Sequence, residues 1–148
     1  MLTPSMEDYL EKIYELMKEK GYARVSDIAL SLSVQPSSVT KMIQKLDEQH
    51  YVTYEKYRGI ILTPRGEQLG RLMKQRHKML EAFLRMLGIS EATIEKDVEG
   101  IEHHVSPGTM DSLKSLVLFF EDFPECLEEY KQFRQKLKDV AATDGESK

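Results

Sequence analysis

Between Val25 and Thr63 the hydrophobic period changes from helical to strand-like, and that change constrains the fold more than any other part of the chain. Val25, Ile28, Ala29 and Leu32 fall at i, i+3, i+4 and i+7, the spacing of a buried helical stripe. After a break at Ser33-Val34-Gln35, Pro36 opens a second helix in which Val39, Met42, Ile43 and Leu46 repeat that spacing. The outward face of this second helix carries Ser37, Ser38, Thr40, Lys41, Gln44 and Lys45, with no carboxylate among them. Tyr51-Val-Thr-Tyr-Glu-Lys-Tyr-Arg-Gly-Ile-Ile-Leu-Thr63 then reads as two strands of β-branched and aromatic residues around a Lys56–Gly59 turn. Two short helices, a tight turn and a hairpin with Lys56 and Arg58 at its tip predict a winged helix-turn-helix. A helical hairpin in a core would explain the first two elements but not the third.

That order of elements points to duplex DNA. Hydroxyls at the start of a helix suit phosphates and base edges, and cations on a wing tip position the protein on the backbone without reading sequence. The net charge of −4 hides an asymmetry that fits. Residues 22–76 carry nine Lys/Arg against five Asp/Glu, whereas residues 77–148 carry nine against fifteen. A locally basic segment is what phosphate neutralisation requires, although a surplus this small permits the reading without establishing it.

The flanking segments are helical. Thr3 as cap, Pro4 at the first helical position and Gly21 as stop bound a first helix with Met6, Leu10, Ile13 and Met17 inside. Asp8 and Glu11 lie on its opposite side. Thr63-Pro64 repeats the start signal and opens a long helix to Leu87, ended by Gly88, with a stripe of Leu69, Leu72, Met73, Leu80, Phe83, Leu84 and Leu87. Such a stripe is too long for one small domain, so this helix is expected to connect to a second helical module. Ser90 caps the next helix, Pro107-Gly108 breaks it, and Thr109–Phe120 and Pro124–Val140 follow. Hydrophobic residues at 41% and charged residues at 31% are ordinary for a soluble globular protein. No signal segment or membrane span is expected, and the one cysteine, Cys126, fits a reducing cytoplasm.

The stretch Glu99-Gly-Ile-Glu-His-His104 carries the candidate chemistry. On a helix Glu99, Glu102 and His103 stand at i, i+3 and i+4 and converge on one face, apart from the stripe of Ile94, Val98, Ile101 and Val105. Two carboxylates and an imidazole so placed can grip a divalent cation. A solvated acidic face with two incidental histidines is the alternative.

Winged helix first and Glu-Gly-Ile-Glu-His-His second, the chain resembles the bacterial diphtheria-toxin-repressor family of metal-activated transcription regulators, and within it the manganese regulators. The matching residues run from Pro4-Ser-Met-Glu-Asp8-Tyr-Leu-Glu11 through Gly21-Tyr-Ala-Arg-Val-Ser-Asp27, Pro36-Ser-Ser-Val-Thr-Lys-Met42 and Tyr54-Glu-Lys-Tyr-Arg-Gly59 to Val98-Glu-Gly-Ile-Glu-His-His104. The resemblance implies a metal site on Asp8, Glu11, His77, Glu99, Glu102 and His103 that holds two Mn2+ ions per subunit. Cd2+ is expected to substitute as an activator, and Zn2+, Co2+ and Fe2+ to bind. The iron-sensing branch has methionine where this chain has Asp8 and cysteine where it has Glu99, so soft sulfur gives way here to hard oxygen.

The expected architecture is mainly α: a winged-helix DNA-binding domain over 1–71, a helical dimerisation and metal-binding domain over 72–142, and a disordered tail over 143–148. The expected function is a cytoplasmic, manganese-responsive transcriptional regulator, a repressor of manganese uptake genes acting as a homodimer on a palindromic double-stranded operator. Neither a membrane nor a small organic ligand is expected as a partner. Two other readings stand beside it. A metal-independent winged-helix regulator would use the acidic helix only to contact protein. A di-metal carboxylate enzyme would want Glu-x-x-His on each of two helices, and neither Glu99 nor Glu102 has a histidine three residues later.

Overall fold

The computed structural model describes residues 2–55 and 57–146. In chain order these form α1 (Pro4–Lys20), α2 (Val25–Leu32), α3 (Pro36–Glu48), β1 (Val52–Glu55), β2 (Gly59–Leu62), α4 (Pro64–Met86), α5 (Glu91–Ile101), α6 (Pro107–Asp122) and α7 (Pro124–Glu146). The protein is mainly α, with one antiparallel hairpin directly after the helix pair, as the change of period predicts. Two compact units result, Met1–His77 and Lys78–Lys148, and the boundary between them falls inside α4.

Local chemistry sets most helix starts. The Thr3 hydroxyl accepts from the Met6 N–H at 3.2 Å, and Gly21 ends α1 at φ 80°. At α4 the Thr63 hydroxyl accepts from the Gly66 N–H and donates to the His50 carbonyl at 2.6 Å, which joins the helix start to the end of α3. Two expectations need correction. α6 begins at Pro107, because Ser106 caps it and proline suits a first helical position, where its missing N–H costs nothing. The tail expected over 143–148 is helical as far as Glu146. No proline or glycine interrupts residues 125–144, and Ala141-Ala142 favours continuation.

In the first unit, α1, α2, α3 and the hairpin share one core of Met6, Leu10, Ile13, Ile28, Val39, Leu46, Val52 and Ile60. The hairpin pairs Val52 with Leu62 and Tyr54 with Ile60. A two-stranded hairpin is marginal alone, and this one is tied back to the helices, because the Ile60 N–H donates to the Ala23 carbonyl at 2.9 Å. Leu72, assigned by spacing to the apolar stripe of α4, is 47% exposed, while its neighbour Met73 is buried.

At Gly66 the backbone of α4 runs close against that of Tyr51. A Cβ there would lie 1.9 Å from the Tyr51 carbonyl oxygen. Backbone must therefore shift to accept even one methyl. Gly66→Ala is expected to destabilise the protein by about 3 kcal/mol, read as a lowered midpoint in denaturant unfolding. An unchanged midpoint would show that this contact opens at little cost.

The second unit has a smaller core. Leu80, Ile94 and Val98 are buried, with Leu84, Ile89, Met110 and Leu113 packed on them. Arg85 grips Glu91 with two hydrogen bonds of 2.7 and 2.9 Å across the turn at Gly88. Phe119, Phe120, Phe123 and Tyr130 form a chain of ring contacts between α6 and α7. Much apolar surface stays outside: Leu116, Leu118, Phe119 and Phe123 are 39–47% exposed, and Phe133, Leu137 and Val140 are 56–60% exposed. Among the described residues, no helix is long and apolar enough to cross a membrane.

Candidate metal centre and nucleic-acid face

Each unit carries part of the candidate metal set. On α1, Asp8 and Glu11 stand one turn apart, and Glu11 is only 8% exposed. This burial comes on the side of α1 opposite its apolar stripe, and carboxylates are rarely buried without a counter-group. The neighbour is His77 of α4, whose Nδ1 lies 3.7 Å from Glu11 Oε1. This separation is long for a hydrogen bond. It is close to the span of two ligands on one cation, since metal–ligand bonds of 2.0–2.2 Å at ordinary angles place the donors about 3.0–3.6 Å apart. An oxygen and an imidazole nitrogen also form a donor pair that divalent ions accept.

In the second unit the other candidates lie at the end of α5. Ile94 and Val98 are 1% and 0% exposed and anchor the helix, whereas Ile101, assigned to the same stripe, is 38% exposed. Expected on the helix, Glu102 and His103 fall just past it: α5 ends at Ile101 and the chain tightens, with the His104 N–H donating to the Ile101 carbonyl at 3.0 Å. The geometry survives through Glu102, which keeps helical dihedrals of φ −57° and ψ −29°. Glu102 is 1% exposed, and its Oε1 lies 3.4 Å from His103 Nε2. Glu99 is exposed on the preceding turn. The structure thus brings together Glu11 with His77 in one unit and Glu102 with His103 in the other.

The nucleic-acid face is simpler. Ser37, Ser38, Thr40, Lys41, Gln44 and Lys45 are all exposed on α3, while Val39 and Leu46 hold its inner face at 0% exposure. The Thr40 hydroxyl donates to the Pro36 carbonyl at 3.1 Å, leaving the lysines as the longest groups outward. Arg58 beside the wing tip is exposed, with Glu55 at 3.6 Å. Lys56, expected on the same tip, lies outside the described residues.

Spacing alone missed two residues near the first donor pair. Glu15 lies one turn after Glu11 on α1, and Lys74 one turn before His77 on α4, and they form an ion pair at 2.5 Å. Their positions relative to the candidates were visible, but nothing local joins residues 59 apart.

Comparison with known proteins gives two successive family matches. Residues 1–60 match the family described as "Iron dependent repressor, N-terminal DNA binding domain". Residues 63–131 match "Iron dependent repressor, metal binding and dimerisation domain". The chain is 57% identical to the HTH-type transcriptional regulator MntR of Bacillus pumilus over 136 residues, 92% of this chain and 94% of that one. It is 58% identical to the regulator of the same name from Listeria welshimeri over 131 residues, 88% of this chain and 92% of that one. Among solved structures, the manganese regulator SloR aligns with a TM-score of 0.71 at 31% identity, over 80% of this chain and 55% of that one. The metal-dependent transcriptional regulator MtsR aligns with a TM-score of 0.73 at 29% identity, over 80% and 55%. The chain spans about half the length of these two solved regulators.

Proposed function

The chain belongs to the iron dependent repressor family of metal-dependent transcriptional repressors, and from that premise we propose that manganese is the ion that switches it on. It is a DNA-binding, dimerising regulator and not an enzyme. The observation that carries the proposal is the pair of carboxylate–imidazole contacts, Glu11 with His77 and Glu102 with His103. In this reading they act with Asp8 and Glu99 as one donor set for up to two ions. Four oxygen residues and two nitrogen residues, with no sulfur among them, suit a hard or borderline cation. The names of the relatives and of SloR favour manganese within that class.

The chain's own residues supply the logic. Asp8 and Glu11 repel each other by about 3 kcal/mol if their charges are about 5 Å apart at an effective dielectric near 20, less where water enters. Glu102, at 1% exposure, brings a further carboxyl group to the donor set. A bound divalent cation supplies the positive charge that offsets these groups. Metal binding would then restrict the DNA-binding units of a dimer, and less freedom would remain to be lost when DNA binds. The exposed apolar surface of α6 and α7 offers area for dimer contacts in the dimerisation region. Two-fold symmetry would make the operator palindromic, and the protein would act in the cytoplasm on manganese uptake genes.

The direct test is selection of bound genomic fragments by the full chain, with Mn2+ and with chelator. Palindromic sites recovered only with the ion are expected. Equal recovery under both conditions would favour a metal-independent regulator instead. The contact face has its own test. Lys41→Ala and Arg58→Ala should each weaken binding to all sequences alike and lower the salt slope by about one unit, while metal binding is retained. If neither variant changes affinity, α3 and the wing are not the surface that meets DNA.

A further inference from the structure

Within the first unit, α1 and α4 meet along a seam of contacts that run in antiparallel order. Glu11 faces His77 at 3.7 Å, Glu15 Oε1 faces Lys74 Nζ at 2.5 Å, and Lys18 faces Glu67 at 3.9 Å. Gly70 lies between the last two of these on α4. A Cβ at Gly70 would sit 2.8 Å from Tyr14 Cβ and 2.9 Å from the Leu10 carbonyl oxygen. The two helices therefore approach closely, and no side chain of α4 at this point cushions a change in their spacing.

Glu15 with Lys74 is the shortest contact of the seam. Glu15 also accepts from Lys12 at 2.9 Å, and the side chains of Lys12, Glu15 and Lys74 are 29%, 21% and 31% exposed. Burial alone would raise the Glu15 carboxyl, but hydrogen bonds from Lys74 and Lys12 outweigh it and hold that group below its ordinary range. Burial would likewise depress the Lys74 ammonium. The Glu15 hydrogen bond, and then the charges of Glu15, Glu11 and Glu19, raise it instead. Both partners are thus charged and engaged at neutral pH.

The place of this contact gives it a role. It is one helical turn from Glu11 on one helix and one turn from His77 on the other, so a slip or rotation of α1 against α4 must first break it. We propose that the Glu15–Lys74 ion pair is a positioning device for the metal site, holding α1 and α4 in the register that sets the Glu11 carboxylate against the His77 imidazole. Neither residue belongs to the proposed donor set. Their effect is preorganisation: donors already held at ligand spacing lose less freedom on binding. The proposal rests on the metal-site reading.

Manganese affinity of the full chain, read from the paramagnetic resonance of free Mn2+, tests it. Wild type is compared with His77→Ala, Lys74→Met, Glu15→Met, Lys74→Arg and the double variant Glu15→Met/Lys74→Met. Positioning predicts that both single Met variants bind about tenfold more weakly, the lower end of the range for residues that orient ligands. Lys74→Arg keeps the ion pair and should stay near wild type. A pure charge effect would move the two Met variants in opposite directions, because loss of a cation strengthens metal binding and loss of an anion weakens it. Opposite shifts, or no shift, would overturn the proposal.

Denaturant midpoints without metal separate positioning from plain stability. In the double variant two methionines can pack in place of the pair, and stability should recover while Mn2+ affinity stays low. Recovery of both would mean that any contact serves there, and the proposal falls. If wild type binds no Mn2+, or His77→Ala binds as well as wild type, the metal-site reading fails and positioning fails with it. If only the Met variants bind normally, the metal-site reading stands and positioning alone is lost.

Discussion

Glu11→Gln and Glu102→Gln will each erase most of the difference between manganese-bound and manganese-free affinity for operator DNA. Glutamine keeps the volume and the hydrogen-bonding length of glutamate but is neutral, so each change removes an anionic ligand with little repacking. Coupling between two sites on one protein is typically 1–3 kcal/mol. Wild type should therefore bind its operator up to about 100-fold more tightly with Mn2+ than with chelator, and each variant should approach a ratio of one. Reciprocity adds an internal check, since operator DNA must tighten Mn2+ binding by the same factor. Fluorescence anisotropy on one labelled fragment, with ion and with chelator, measures the ratio. The two residues also lie in different units, Glu11 at 8% exposure and Glu102 at 1%. A ratio unchanged in both variants would sink the metal-switch reading. A loss in one alone would assign the switch to that unit's donors.

The second large effect concerns the choice of ion. With Asp8, Glu11, Glu99 and Glu102 offering oxygen and His77 and His103 offering nitrogen, the set lacks a soft donor. Divalent affinity still rises along the usual series, so manganese should bind more weakly than cobalt, nickel or zinc. Selectivity must then reside in activation. Zinc is satisfied by four ligands and can settle for a part of the set, whereas manganese and cadmium tolerate higher coordination numbers and call on more of it. At saturation, operator affinity should be about tenfold weaker with Zn2+ than with Mn2+ or Cd2+. The double change Asp8→Met and Glu99→Cys returns sulfur to the set and should move activation toward Fe2+ and Co2+. If zinc activates the unmodified protein as fully as manganese, coordination number is not what discriminates.

Helix starts were readable because their chemistry is local. Thr3-Pro4, Pro36, Thr63-Pro64 and Ser90 each place a cap or a proline where the first free N–H groups need one, and helices begin there. Signals with two meanings were harder to read. Pro107 can end one helix or open another, and only the Ser106 cap settles that it opens α6. The candidate donors divide in the same way. Glu102 and His103 adjoin in sequence and meet in space at 3.4 Å. The burial of Glu11 depends on α4 arriving across the seam, which periodicity on α1 cannot report. The ion pair of Glu15 and Lys74 spans 59 residues and was invisible for the same reason.

The bond from Ile60 to the Ala23 carbonyl has a consequence for how such regulators can diverge. It fastens the returning strand of the wing at its first residues, since β2 begins at Gly59. Glu55 with Gly59 is the last paired rung, so length added between those two residues extends the wing without disturbing registration. One residue inserted between Gly59 and Leu62 would instead swap the inward and outward faces of the strand and expel Ile60 from the core. Descendants of this chain can thus lengthen or shorten their reach along the double helix by insertion and deletion at the tip, while the strand from Gly59 to Leu62 stays closed to single-residue changes in length.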